Sequence, residues 1–294
     1  MIVSAIEHPS ILLTAKRLER ESYSVTYLPV MPDGIIQPET LTAALQPSTA
    51  LVSIMHANGE IGTIEPIAEL ARIAREAGVL VHTDAVVSAG HEPIDVRRLG
   101  VDALSLAGNQ FGGPPGTAAL FVREGVRILP LLDGGGQETG ARSGTENLVG
   151  IVGLGSAAEQ ARAHLAEWAL RASHLRDRLK DGIMERLDGR RLNGSWSSRL
   201  PHSLHLCFDG VGSESLVLAL DQADIAAGIG SACNAKAMRP SHVLMAIGLS
   251  EAQAQGALLL SVGSVTTEQD IDQAIERIPP VVSQLRRVMA ITSR

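Results

Sequence analysis

Residues 66–84, PIAELARIAREAGVLVHTD, contain the pattern of a helix followed at once by a buried strand. The apolar side chains of the first part recur at three- or four-residue spacing, which places them on one helix face: Ile67, Leu70, Ile73, Ala74 and Ala77. Pro66 at the first turn and Gly78 just past the end favour helix boundaries. The apolar run 79–83 then predicts a strand. The stretch as a whole predicts a helix that covers a β-sheet.

Similar apolar runs extend this unit through the first half of the chain. They alternate with helical patterns, which is typical of βαβ units and a mainly parallel sheet. The predicted strands cover residues 2–6, 23–30, 50–55, 79–83, 101–106 and 117–122.

The pattern changes after the glycine run 134–136. A long apolar repeat over 155–187 predicts a helix that bridges two domains. Beyond it we predict strands at 203–208 and 258–262 and helices at 214–220, after Pro240, and at 267–289. The sequence thus predicts an α/β protein, with a large α/β domain over 1–160 and a smaller α+β domain over 161–294.

Composition limits the classes of partner. With 294 residues, 45% hydrophobic content and a mean hydropathy of +0.15, the chain can bury a large core. Its 32 acidic and 25 basic residues give a net charge of −7 without a long single-sign run, so we expect neither nucleic acid nor a membrane as partner. The start has no signal-peptide pattern, which predicts a cytoplasmic protein. Two cysteines are too few for a disulfide framework.

The chain contains several short segments whose combined order and spacing are much more specific than any single motif. They are Glu7-His8, 55–62 (MHANGEIG), 82–85 (HTDA), 107–116 (AGNQFGGPPG), 134–138 (GGGQE), 142–145 (RSGT) and 230–233 (GSAC). Together they resemble the signature segments of cysteine desulfurases, in the class V aminotransferase group. The resemblance implies the fold-type I scaffold of pyridoxal phosphate (PLP) enzymes. It also implies a homodimer, or a heterodimer with a desulfurase homologue or a sulfur-acceptor protein.

The resemblance also implies roles for individual residues. His8 matches the imidazole that stacks on the PLP ring, Asn58 a contact to the ring's phenolic oxygen, and Asp84 the partner of the pyridine nitrogen. Thr145 belongs to a segment that reaches the phosphate of the neighbouring subunit. Simpler alternatives remain open, because Asp84 would also cap the turn after its strand and His8 would also start a helix.

The anchoring lysine of the family is replaced in this chain. Gln110 stands at its position, and an amide nitrogen neither forms an aldimine nor shuttles a proton as an amine does. Ala107 and Asn109 replace the serine and histidine that precede the lysine.

Two further replacements affect contacts to the cofactor and to the substrate. Val87 takes the place of a glutamine that follows the ring aspartate. Leu259 stands where an arginine grips the substrate carboxylate, a loss of roughly 2 kcal/mol or more in a desolvated site. Met1 stands where family members begin their second large-domain strand, so we also expect the phosphate-binding turn to be absent. PLP is therefore expected at most as a weak, non-covalent ligand.

Cys233 is the sequence candidate for a persulfide carrier. It lies in 228–236 (GIGSACNAK), which resembles the loop that bears the reactive cysteine, and Lys236 would favour its thiolate. An unselected surface cysteine is the alternative. Cys207 alternates with a strand pattern and is predicted to be inert core. No metal site is expected, because His202 and His205 fall on opposite faces of a strand.

Three functions follow from these observations. The first is a degenerate desulfurase that acts in sulfur transfer, through Cys233, or as an interaction subunit. The second is a desulfurase that is active with non-covalent PLP or with a complementing polypeptide. The third is a purely structural partner of an active homologue.

Overall fold

The computed structural model describes residues 1–231 and 240–292. Within these residues the strands and helices are, in chain order, β1 (Ile2–Ser4), α1 (Pro9–Arg20), β2 (Thr26–Leu28), α2 (Pro38–Ala44), β3 (Leu51–Ser53), α3 (Ile67–Glu76), β4 (Leu80–Asp84), α4 (Val96–Leu99), β5 (Ala103–Ala107), β6 (Ala118–Val122), α5 (Leu148–Met184), β7 (Arg190–Leu192), β8 (Ser203–Phe208), α6 (Ser213–Asp221), α7 (His242–Ala246), α8 (Glu251–Ala254), β9 (Ala257–Ser261) and α9 (Glu268–Thr292). Short 3-10 helices cover Gly108–Phe111 and Gln137–Gly140.

The larger sheet has six strands in the order β2-β1-β3-β4-β5-β6. β1 to β5 are parallel, and β6 pairs with β5 in the antiparallel sense. Parallel neighbours need crossover connections, which α1, α2, α3 and α4 provide. Each of the six predicted runs overlaps a strand, so the α/β prediction is confirmed.

α3 covers this sheet with most of the predicted face, although Ile73 is only partly buried and Ala77 is exposed after the end of the helix. Ile67, Leu70, Ala71 and Ala74 are buried in one core cluster with residues of β3, β4 and β5. Each buried Leu or Ile side chain contributes about 1.5–3 kcal/mol by leaving water. The helix therefore fixes the packing around the strand that ends at Asp84.

The smaller sheet is antiparallel, in the order β7-β8-β9. All six residues of β8 are buried, because its two faces have different neighbours. Leu204, Leu206 and Phe208 pack with the apolar faces of α5 and α9. Cys207, on the other face, packs with the loop that follows β3. β8 therefore joins the two parts of the molecule.

α5 is 37 residues long and starts earlier than predicted. Its second half packs on the smaller sheet through Leu175, Leu179 and Ile183. Its first turn is largely exposed, with Leu148 at 70% and Val149 at 84%. The predicted division at residue 160 falls inside this helix and stays a prediction. No described helix combines the length and apolarity that a bilayer crossing requires.

Candidate functional site

Four strand ends bring the predicted site residues to one edge of the larger sheet. Neighbouring parallel strands end at the same edge, and β1, β3, β4 and β5 are such neighbours. His8 follows β1, Asn58 follows β3, Asp84 ends β4, and Asn109 and Gln110 follow β5. Residues more than 100 positions apart in the sequence thus meet at a single edge.

Asp84 is half-buried and has one engaged carboxylate oxygen. Its Oδ1 accepts a hydrogen bond from Val86 N at 2.9 Å, so the turn-capping alternative is present in the structure. Among the described residues its Oδ2 has no hydrogen-bond partner. That oxygen is available to a cationic group beside the strand end.

His82 shares a strand face with Asp84 because it lies two residues earlier. Its Nδ1 lies 2.8 Å from Ser53 Oγ, and its Nε2 lies 2.9 Å from Ser105 Oγ. Burial lowers its pKa, although the negative charge of Asp84 acts in the opposite direction. His82 was not predicted to have a separate role, although its two-residue spacing from Asp84 indicates a shared strand face.

Asn58 is 2% exposed, and its side-chain amide is fully used inside the protein. Its Nδ2 donates to Ile6 O at 2.9 Å and to Met55 Sδ at 3.4 Å. Its Oδ1 accepts from Glu60 N and Ile61 N at 2.9 and 3.0 Å. Both amide hydrogens are therefore engaged, and neither remains for the phenolic oxygen of PLP.

His8 is exposed and caps α1. Its Nδ1 accepts from Ser10 N at 3.2 Å and lies 2.8 Å from Ser10 Oγ. The helix-entry alternative is therefore also present. Ring stacking by His8 stays a prediction.

Gln110 lies in the 3-10 helix after β5, with an exposed side chain. Its backbone carbonyl accepts from His91 Nε2 at 3.0 Å. The His91 ring in turn packs on His202, with ring centroids 4.0 Å apart. Asn109 is likewise exposed, so neither side chain is fixed by packing against the rest of the protein.

Of the other predicted contact positions, Thr145 and Leu259 lie far from these strand ends in the chain, whereas Val87 lies three residues after Asp84. Thr145 is exposed in the loop before α5. Val87 lies after β4 and packs against Gly59. A Cβ added at Gly59 would lie 3.2 Å from Val87 Cγ1. Leu259 lies in β9 and exchanges two backbone hydrogen bonds with Gly228.

Glu7 is a fully buried carboxylate to which the sequence assigned no role. Its Oε1 accepts from Met55 N at 2.7 Å, and its Oε2 is buried without a partner among the described residues. Burial raises its pKa well above the ordinary value, and the charge of Asp84 adds to that effect. Glu7 is therefore favoured as the neutral acid.

Cys233 lies outside the described residues, but Gly230 before its segment and Ser241 after it both lie against Glu60. A Cβ at Gly230 would lie 3.5 Å from Glu60 Cβ and 3.2 Å from His205 Nε2. Ser241 Oγ donates to Glu60 Oε2 at 2.5 Å. Burial raises the pKa of Glu60, against the effect of this hydrogen bond.

Cys207 is confirmed as core. It is buried beside Asn193, whose Nδ2 donates to Sγ at 3.1 Å, and burial raises the pKa of its thiol to about 11. In the described part of the chain no three His, Cys, Asp or Glu side chains are placed to hold a metal. His202 and His205 have different surroundings, since His205 Nδ1 lies 2.9 Å from Asn193 Nδ2.

These contacts test whether the site fits PLP. Asp84 offers a free oxygen for a pyridinium nitrogen, but the hydrogens of Asn58 are engaged and Gln110 offers no amine. The residues present do not fit a covalently held PLP.

The whole chain resembles known proteins. The Aminotransferase class-V family model matches residues 1–274. A cysteine desulfurase IscS from Methanosarcina thermophila is 45% identical over 294 residues, which are 100% of this chain and 72% of that protein. A cysteine desulfurase IscS from Clostridium botulinum (strain Hall) is 45% identical over 98% of this chain and 73% of its own length. A solved structure named NifS-like protein superposes with a TM-score of 0.89 at 35% identity and covers 96% of this chain and 74% of the other.

The fold and the matching segments define a protein of the PLP-dependent transferase type. The chain belongs to the class V aminotransferase family, and its relatives in that family are named cysteine desulfurases.

Proposed function

We propose that this chain is a non-catalytic member of the desulfurase group that acts in sulfur transfer or as an interaction subunit. The observation that carries the proposal is Gln110 at the end of β5, where the family places its cofactor-binding lysine. An amide cannot act as the nucleophilic amine, because its lone pair is delocalised into the carbonyl group.

The other lysines do not replace the missing amine. Lys16 is exposed on α1, about two helical turns beyond His8. Lys180 pairs with Asp181 at 2.7 Å and lies 3.9 Å over the ring of Trp196. Lys236 is outside the described residues. Neither described lysine lies directly at the end of a strand of the larger sheet, as Gln110 does.

The sulfur role rests on the contrast between the two cysteines. Cys207 is buried with a raised pKa, so the proposal assigns sulfur transfer to Cys233. The Cys233 thiolate would attack the outer sulfur of a donor persulfide. One S–S bond forms as the donor's S–S bond breaks, and the donor leaves as a thiolate, so the step needs no outside oxidant.

One preparation tests the proposal. We expect no aldimine absorbance after incubation with PLP, and no alanine release from cysteine. When an active desulfurase and cysteine are supplied, intact mass should show one added sulfur atom on the chain, and none on the Cys233→Ser variant. Aldimine absorbance with alanine release would refute the loss of catalysis. Absence of sulfur on Cys233 would leave only the interaction role.

An active enzyme is the second candidate, because Asp84 Oδ2 remains available to non-covalent PLP. It predicts cysteine-dependent sulfide from the chain with PLP or with a co-purified polypeptide. The matched variant is Asp84→Ala, which should abolish the production of sulfide from cysteine. A preparation with neither a cofactor spectrum nor sulfide would eliminate this candidate.

A structural partner of an active homologue is the third candidate. β6 is one of the two edge strands of the larger sheet, with Leu120 exposed at 52%, and the first turn of α5 exposes Leu148 and Val149. Large exposed apolar surface next to a strand edge favours association. Native mass spectrometry with an active homologue should show a heterodimer that Leu120→Lys weakens. A chain that only self-associates would contradict this candidate.

A further inference from the structure

Four arginines surround a cleft at the junction of α3 and α4, on helices that no predicted site residue occupies. Arg72 and Arg75 lie on α3, and Arg97 and Arg98 lie on α4. Together with Ala68, Glu76, Leu99 and Gly100 they line a cavity of about 500 Å³. We call these eight residues the arginine cleft. Such a cluster is notable in a chain whose net charge is −7.

Two of the four guanidinium groups have carboxylate partners. Arg72 Nη1 lies 2.8 Å from Glu76 Oε1, and Arg98 Nε lies 3.7 Å from Asp95 Oδ2. Both pairs are exposed, and exposed ion pairs stabilise little, so a ligand can take over either guanidinium easily. Within residues 1–231 and 240–292, Arg75 and Arg97 make no ion pair. The arginine cleft therefore presents two positive charges without counter-charge.

In the arginine cleft the side chain of Arg75 lies against the backbone of a glycine, Gly100. Gly100 ends α4 in the left-handed conformation, with φ of 71°. A Cβ at this position would lie 3.3 Å from Arg75 Nη1, so the guanidinium of Arg75 lies directly against the backbone of Gly100. This contact places a side chain of α3 beside the arginines of α4.

We propose that the arginine cleft binds a phosphate monoester or inorganic phosphate as the dianion. Guanidinium groups donate paired hydrogen bonds that match phosphate oxygens. A phosphate carries a charge of about −1.5 to −2 at neutral pH, which the two unpaired arginines balance. A run of acidic side chains fits less well, because it spreads its charge along a peptide, whereas the arginines line one cavity of about 500 Å³.

Calorimetric titration with inorganic phosphate at constant ionic strength tests this site. The double variant Arg75→Gln, Arg97→Gln should raise the dissociation constant at least about tenfold, since it removes both unpaired charges. The matched control is Arg17→Gln, Arg20→Gln on the exposed face of α1, which should leave the constant unchanged within about twofold. Unchanged thermal midpoints verify that both variants fold.

Three results would overturn the proposal. The first is the absence of phosphate binding at about 10 mM phosphate. This concentration is tenfold above a dissociation constant of about 1 mM, which marks the weak end of specific binding. The second is an equal loss of binding in both double variants, which would indicate a general charge effect. The third is tighter binding of a tetraglutamate peptide than of phosphate, which would assign the cleft to an acidic protein segment. None of these results depends on whether the chain has desulfurase activity.

Discussion

Replacement of Glu65 by glutamine should change how the stability of this protein depends on pH. Glu65 is 3% exposed and links two loops: its Oε2 accepts from Ile36 N at 2.9 Å, and its backbone N donates to His56 O at 2.9 Å. Its Oε1 is buried without a partner among the described residues. Burial raises the pKa of this carboxyl from 4.5 to about 8, and the charge of Asp33 adds to the effect.

The size of the effect follows from these two values. The folded protein holds the proton more tightly than the unfolded chain does. The protonated Glu65 carboxyl therefore makes its full contribution to stability below pH 4.5. This contribution is lost as the pH rises to about 8. At 1.36 kcal/mol per pKa unit the full loss is about 4 to 5 kcal/mol. Glutamine keeps an oxygen that accepts the hydrogen bond from Ile36 N and has no ionisable group. The Glu65→Gln variant should therefore not lose stability as the pH rises through this range.

Urea unfolding of both proteins at pH 5, 7 and 9 measures the difference. We expect the two stabilities to agree within about 1 kcal/mol at pH 5, and the variant to be more stable by about 4 kcal/mol at pH 9. Comparison with the wild type cancels the titration of other groups. Glu69→Gln, which removes an exposed carboxylate in the first turn of α3, serves as the control variant. A pH-independent difference between Glu65→Gln and the wild type would refute the reasoning.

Three further predictions concern packing, a buried charge and a thiol. Gly256→Ala should lower the free energy of unfolding by roughly 3 kcal/mol or more in urea titrations, because its Cβ would overlap the carbonyl of Phe208; an unchanged midpoint would contradict this. Asp102→Ala should cost roughly 1 to 3 kcal/mol in the same assay, since it leaves the buried Val81 amide without the carboxylate that accepts its hydrogen bond at 2.7 Å, while the half-exposed Arg123 is solvated by water; an unchanged free energy of unfolding would contradict this. Iodoacetamide at pH 8 should leave Cys207 unlabelled until the protein is unfolded, because burial raises its pKa to about 11; peptide mass mapping would detect any native labelling.

The strands and covering helices were predictable because each depends on a local repeat. The β8 run was predicted to the residue, and three of the four buried residues of α3 were predicted, namely Ile67, Leu70 and Ala74. β7 was not predicted, because Arg190–Leu192 is too short and polar to show alternation. The start of α5 was missed because Leu148, Val149 and the glycines that follow do not form a one-sided apolar pattern.

The positions of the site residues were partly predictable, since residues after parallel strands share an edge of the sheet. His8, Asn58, Asp84, Asn109 and Gln110 follow that rule. The hydrogen-bond partners of Asn58 were not predictable, because Ile6 and Met55 reach it only through the pairing of β1 with β3.

The sequence alone determines that residue 110 carries an amide and not an amine, because this property depends on one side chain. The tertiary structure decided the properties that depend on distances between remote segments. These are the engaged amide of Asn58, the raised pKa values of Glu7 and Glu65, and the grouping of arginines from α3 and α4. Desolvation and charge pairing arise only when separate elements pack together, so no local pattern in the chain encodes them.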